Sequence, residues 1–136
     1  KTRAITPTAW LAHFNLHHSV EVTGGTRTLY LSGQTSTAAG GATLMPPALF
    51  RTGRANVKDA LKEAGTGPSN AARLNIFVTD VDAFLAMAGD ATGAIKADGT
   101  ETAGTLIGVA RLFDPDVMIE LEATAALEVD SGGALL

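Results

Sequence analysis

From Val117 to about Leu127 the chain reads as an alternating strand whose two faces have different needs. Successive side chains in a strand point to opposite sides. Val117, Ile119 and Leu121 therefore fall together, and Met118, Glu120, Glu122 and Thr124 fall opposite them. The first set requires cover from another layer. The second belongs to a face that, with Thr28, Tyr30, Ser32, Phe77, Leu106 and Gly108 from the other strands, is too apolar to be simply solvated and too acidic for an ordinary core. Burial against other copies, with a polar pocket left at the seam, reconciles the two properties.

The rest of the chain supplies the cover. Ser19–Val22 reads as a first strand and Gly24-Gly25 as a hairpin turn. Arg27–Gln34 reads as a second strand, with Leu29 and Leu31 on one face. Residues 35–45 are small, Gly-rich and polar, a loop suited to be a lid. Pro46-Pro47 starts a helix whose stripe is Leu49, Val57, Ala60, Leu61 and Ala64, ended by Gly65 and Pro68. A third strand fits Arg73–Thr79. A second helix, capped by Asp80 or Asp82, carries Phe84, Leu85, Met87 and Ile95. Asp98-Gly99 turns the chain into a fourth strand at about Thr105–Leu112, and Asp114-Pro115-Asp116 turns it into the fifth.

The order ββαβαββ gives an α+β fold, a mixed sheet with two helices on one face. The helix side is expected to carry Leu29, Leu31, Leu74, Ile76, Val78, Ile107, Val109, Val117, Ile119 and Leu121. The open side is expected to carry Thr28, Tyr30, Ser32, Phe77, Leu106, Gly108, Met118, Glu120, Glu122 and Thr124. The chain of 136 residues suits one domain, residues 1–136, with an N-terminal arm at 1–12 and a tail at 130–136. Its 15 glycines, 24 alanines and 5% aromatics build a core of small side chains, which gains from burial shared with another chain. The net charge of −4 disfavours a partner held by backbone phosphates. Without cysteine there is no disulfide framework, thiolate metal site or cysteine nucleophile. No apolar run reaches the length of a membrane span, so the expectation is a soluble cytoplasmic protein without a membrane partner.

Five segments in register resemble the Rid, or YjgF-like, family of reactive-intermediate deaminases. They are Leu29-Tyr30-Leu31-Ser32-Gly33-Gln34; Asn56-Val57-Lys58 through Leu61 with Ala64-Gly65; Ile76-Phe77-Val78-Thr79-Asp80 with Phe84; Val109-Ala110-Arg111-Leu112; and Ile119-Glu120-Leu121-Glu122-Ala123. The last two resemble the family's C-terminal hairpin. The resemblance covers about Ser19 to Leu127. It implies a chorismate-mutase-like fold and a homotrimer whose sheets form a central barrel, with small-molecule sites in the clefts between subunits. It further implies hydrolysis of imines and enamines without metal or organic cofactor.

Hydrolysis of an imino acid needs a cation for the carboxylate, an acceptor that orients water, and a proton for the departing amine. The family takes its cation from an arginine in a Pro-Ala-Arg-Ser-like stretch. Here that stretch reads Thr102-Ala103-Gly104-Thr105, with Gly104 at the arginine position. The family's tyrosine near the first strand is matched most nearly by Leu16 or His17, and an asparagine of its second helix by Ala88. Glu120 matches the family carboxylate associated with the attacking water and is the catalytic candidate; a structural ion pair at the seam is the other reading. The candidate substrate-binding residues are Ser32, Gly33, Gly104, Thr105, His17 and Arg111. For Gly33 the alternatives are ligand contact through the backbone, or a bulge or close approach. Arg111 is either structural or a substitute anion anchor. His13 and His17 have the i, i+4 spacing of a helix, but the region does not read as helical and no carboxylate partner lies near, so no metal site is expected and one of His13, His17 and His18 is expected to line the cleft. The alternatives to a deaminase are a trimer that binds a metabolite without turnover and, less favoured by the charge, a ribonuclease.

Overall fold

A computed structural model describes residues 2–7, 16–35, 49–133 and 135. The expected lid beyond Thr35, the Pro46-Pro47 start and His13 lie outside the described residues. Eight strands are described: β1 (Thr2–Ile5), β2 (Leu16–His17), β3 (Ser19–Val22), β4 (Thr26–Tyr30), β5 (Gln34–Thr35), β6 (Ala71–Val78), β7 (Thr102–Gly108) and β8 (Ile119–Glu128). The helices are α1 (Leu49–Glu63), α2 (Val81–Ala86) and α3 (Ala88–Ala97).

The main sheet runs β2-β7-β6-β8-β4, with β5 also against β8. β6 pairs parallel with β7 and antiparallel with β8, so the mixed α+β sheet is centred on β6. The fourth and fifth strands are therefore not a hairpin: β6 stands between them. Nor do β3 and β4 form the hairpin expected at Gly24-Gly25. Gly24 does turn the chain with a positive φ of 85°. β3 then pairs with β1, from Thr2↔Val22 to Ile5↔Ser19, while β4 pairs with β8.

Helix α1 forms because Phe50, Gly53, Val57 and Leu61 share one stripe, and all four are buried. Past its end, Gly65 takes a φ of 81° and its N–H donates to the Lys62 carbonyl at 2.9 Å, a glycine C-terminus. Gly53 faces Leu121, whose Cδ1 lies 3.6 Å from where a Cβ would stand, an ordinary contact. Gly53→Ala is therefore expected to raise stability by about 0.5–1 kcal/mol through helix propensity alone, measurable in a denaturant melt.

The second expected helix is two helices. Asp80 caps α2 by accepting from the Ala83 N–H at 3.0 Å. Met87 then leaves helical geometry (φ −112°, ψ 8°), and α3 starts at Ala88. The break lets each piece use its own apolar side. Phe84 tilts against Phe50, centroids 6.4 Å apart. Ala91 and Ile95, one turn apart, enter the core.

The helices cover the face that carries Leu31, Leu74, Val78, Ile119, Leu121, Ala123, Ala125 and Leu127. On β7 the expected phase is reversed. Parallel partners share a face, and the register pairs Leu74↔Gly104, Ile76↔Leu106 and Val78↔Gly108. Leu106 packs with the core, as does Met118, and Gly108 meets Val81 of α2. Ile107 takes the open side instead. The Leu106-Ile107 doublet fits either phase, so alternation alone did not decide this strand; its pairing with β6 did. β7 also starts at Thr102, earlier than expected, because its ladder with β6 begins at Arg73↔Ala103.

Candidate functional site

On the open face the cross-strand register sorts side chains into parallel rows. One row is Thr35, Glu120, Phe77 and Ile107. The next is Glu122, Asn75 and Thr105. A third is Tyr30, Thr124, Arg73, Ala103 and His17. Neighbouring rows are two residues apart along each strand, about 7 Å.

Glu120 is set by the edge strand beside it. β4 reaches Tyr30↔Thr124, and the Leu31 N–H donates to the Ala123 carbonyl at 2.9 Å. Pairing resumes at Gln34↔Leu121 and Thr35↔Glu120. Two residues, Ser32 and Gly33, thus stand against Glu122 alone. This is a β-bulge, which bends the strand and leaves one residue outside the ladder. The bulge drives the Gly33 backbone onto Glu120. A Cβ at position 33 would stand 2.6 Å from Glu120 Oε1 and 2.7 Å from its Cγ. The position therefore admits glycine with Glu120 in this place. Of the alternatives for Gly33, the bulge and the close approach are both present.

Glu120 is half-buried, and among the described residues no ion pair or hydrogen bond engages its carboxylate. In the neighbouring row the Asn75 amide donates to Glu122 Oε1 at 3.3 Å, while Asn75 Oδ1 is buried without a partner among the described residues. Two carboxylates with no cation between them give this part of the face a negative character. A water accepted by Glu120 and a cationic or neutral ligand above Phe77 and Ile107 suit that chemistry.

The other candidates are placed as follows. The Ser32 carbonyl accepts from Gln34 Nε2 at 3.1 Å, which holds the bulge. Thr105 lies in the Glu122 row and is exposed. Gly104 pairs with Leu74 on the helix side of the sheet, so it and Glu120 occupy opposite faces. His17 closes the third row, its Nδ1 hydrogen-bonded to Thr6 Oγ1 at 2.8 Å. Arg111 folds onto its own loop, donating to the carbonyls of Leu112 at 3.2 Å and Phe113 at 3.4 Å. Among the described residues no group of three or more His, Cys, Asp or Glu is placed to hold a metal ion, and no helix is long and apolar enough to cross a membrane.

Arg73, in sequence only the first residue of the third strand, stands in the third row of the same face, and its direction was hidden. The register shifts between Ala71↔Ala125 and Arg73↔Thr124, a second bulge at residue 72. It lets Ala71 enter the core while Arg73 faces the open side. A run of Ala-Ala-Arg carries no signal for such a bulge.

Comparison with known proteins agrees with this architecture. Residues 12–127 match the Endoribonuclease L-PSP family. No curated protein matches the chain. Among solved structures, YyfB of Yersinia pestis, a protein of unknown function of the Rid family, is 33% identical over 93% of this chain and 98% of its own, with a TM-score of 0.84. The YjgF gene product of E. coli is 28% identical over 76% and 83%, TM-score 0.64. E. coli TdcF, solved with bound serine, is 23% identical over 79% and 85%, TM-score 0.68. The match spans both bulged strands, α1 and the β6-β7-β8 ladder that holds the open face, and the chain belongs to the endoribonuclease L-PSP family, the YjgF or Rid proteins.

Proposed function

We propose that this protein is a Rid-type hydrolase that cleaves the C–N bond of an imine, enamine or related small metabolite at the Gly33–Glu120 site. The observation that carries the reading is the Glu120 carboxylate, unpaired among the described residues, held against the bulged Gly33 backbone. Glu120 accepts a proton from a water as that water adds to the C=N carbon. That proton passes to nitrogen, giving a carbinolamine; Glu120 then takes the hydroxyl proton and returns it to the same nitrogen, so that ammonia or an amine leaves as the carbonyl forms. Gly33 limits where the carboxylate stands, which supplies orientation.

The substrate we infer lacks the carboxylate of a simple 2-imino acid. The resemblance implies that Gly104 falls at the family's arginine position, where a glycine has no side chain to pair with an anion, and Gly104 lies on the other sheet face from Glu120 in this chain. Glu122, in the neighbouring row, would repel a substrate carboxylate. Arg73 lies two rows away, about 13 Å along the strands. That is too far to hold a carboxylate attached to the carbon under attack.

The open face, with Tyr30, Phe77 and Ile107 among carboxylates, supports assembly as a homotrimer, each site completed at a subunit seam. Sedimentation is expected to give three times the chain mass. The hydrolysis requires no cofactor, and a cytoplasmic location is part of the proposal. The acidic balance disfavours ribonuclease action. A trimer that binds a metabolite without turnover is the second reading, favoured by the absence of any proton-relay partner on Glu120 among the described residues.

The test is ammonia release from 2-iminobutanoate made in situ, and amine release from an imine of the same length without the carboxylate. The second substrate is expected to turn over faster, and Glu120→Gln to lower that rate about 100-fold or more. Full activity in Glu120→Gln would sink the catalytic reading. Preference for 2-iminobutanoate would sink the substrate class.

A further inference from the structure

The third row of the open face has a feature that the hydrolase reading does not use. Tyr30, Thr124, Arg73, Ala103 and His17 lie in line across five strands. Above them is a cavity of about 380 Å³ lined by His18, Ser19, Tyr30, Arg73, Ala103 and Thr124 among others. That size is within the range of small-molecule sites. Three observations point the same way.

First, Arg73 is a cation without an anion: among the described residues no carboxylate pairs with it. A guanidinium with its fork free matches the two oxygens of a carboxylate. Secondly, the bulge at residue 72 gives Arg73 its direction. Bulges that re-aim a side chain recur next to functional sites. Thirdly, Tyr30, 80% exposed within the single chain, turns a large ring to this cavity. With Ala103 and Val20 it supplies apolar lining, while Ser19 and Thr124 supply hydroxyl donors. The small side chain of Ala103 keeps the middle of the row open.

We propose that the Arg73–Tyr30 cavity is a second ligand site, specific for a small carboxylate with a planar apolar body. The carboxylate pairs with the Arg73 guanidinium, the hydroxyls of Ser19 and Thr124 donate to its outer lone pairs, and the planar body lies along Tyr30. The site is about 13 Å from Glu120 along β8, so it stands or falls apart from the hydrolase reading. In an oligomer closed over the open face it would lie at the seam.

The experiment is calorimetric titration of the full chain, in its native assembly, with benzoate and with its neutral amide, benzamide. Benzoate is expected to bind saturably, with a dissociation constant on the order of 1 mM or tighter. Benzamide is expected to bind about tenfold or more weakly, because the charge is missing. Arg73→Gln is expected to weaken benzoate by about tenfold or more, and Tyr30→Ala, at an exposed position, to weaken both compounds. Glu120→Gln is expected to leave benzoate binding unchanged. No saturation by wild type an order of magnitude above that concentration would overturn the proposal. So would equal affinity for benzoate and benzamide, or unchanged benzoate binding in Tyr30→Ala with folded Arg73→Gln also unchanged. If Arg73→Gln does not fold, the Tyr30→Ala and benzamide results decide the matter by the same criteria.

Discussion

Gly33→Ala is expected to remove nearly all turnover while leaving the protein folded. The new methyl would stand 2.6 Å from Glu120 Oε1 and 2.7 Å from its Cγ, well inside contact distance. The atoms it meets belong to a flexible side chain and not to backbone, so the strain is relieved by swinging Glu120 away. The backbone at position 33 does not need a positive φ, because the positive-φ glycines are 24, 65, 99 and 133. The melting temperature should therefore shift by only a few degrees, the mark of a change within about 1 kcal/mol. The hydrolytic rate should fall roughly 100-fold, because a displacement of about 1 Å at a reacting group costs that much. A thermal melt run beside the amine-release assay separates the two effects. A folded Gly33→Ala protein with wild-type rate would remove the close approach from the mechanism.

Asp98→Asn is expected to produce the opposite pattern, a large loss of stability with the site intact. Asp98, at the C-cap of α3, accepts from Arg54 Nε at 2.6 Å, from a second Arg54 nitrogen at 2.8 Å, and from Lys58 Nζ at 3.2 Å. Its side chain is only 10% exposed. The forked pair ties α3 to α1, the helix that lies on β5 and β8. Loss of the charge leaves Arg54 without its anion, a cost of about 2 kcal/mol. For a chain of this length that lowers the melting temperature by roughly 7 °C. Hydrogen bonding from Arg54, strengthened by Lys58, holds the Asp98 carboxyl below the ordinary carboxylate range, and the same pairing raises Arg54. A carboxyl with a lowered folded pKa stabilises fully above its unfolded pKa, near pH 4. That contribution is lost as pH falls through the lower folded value. Denaturant melts should thus show wild type and Asp98→Asn well separated at neutral pH and converging in acid. A gap that stays constant down to acid pH would show that the pair does not act through its charge.

Much of the fold was legible because its signals are local. Alternation marked β3, β4, β6 and β8 in place. The stripe through Val57 and Leu61 marked α1, and Gly65 marked its end. Asp80 was legible as a cap because a carboxylate just before an apolar helical run satisfies a free N–H. Glu120 and Gly33 were legible as separate residues of a family pattern. Their contact was not, because it arises from one extra residue between two stretches of ladder. The break at Met87 was equally silent, since Phe84, Leu85, Met87 and Ile95 are spaced well enough for one continuous helix. The Arg54–Asp98 pair joins residues from two helices and has no signature in either.

The amino-acid order by itself determined the places of β3, β4, β6, β8 and α1, the turns at Gly24 and Gly65, and that one sheet face must be covered while the other carries carboxylates. Those properties follow from side-chain period, capping and turn chemistry, all of which act within a few residues. Only the tertiary structure decided which strands are neighbours, that Leu106 and not Ile107 faces the helices, and that bulges at Ser32-Gly33 and Ala72 aim Glu120 and Arg73. Register is a relation between distant strands, and a shift of one residue exchanges the two faces.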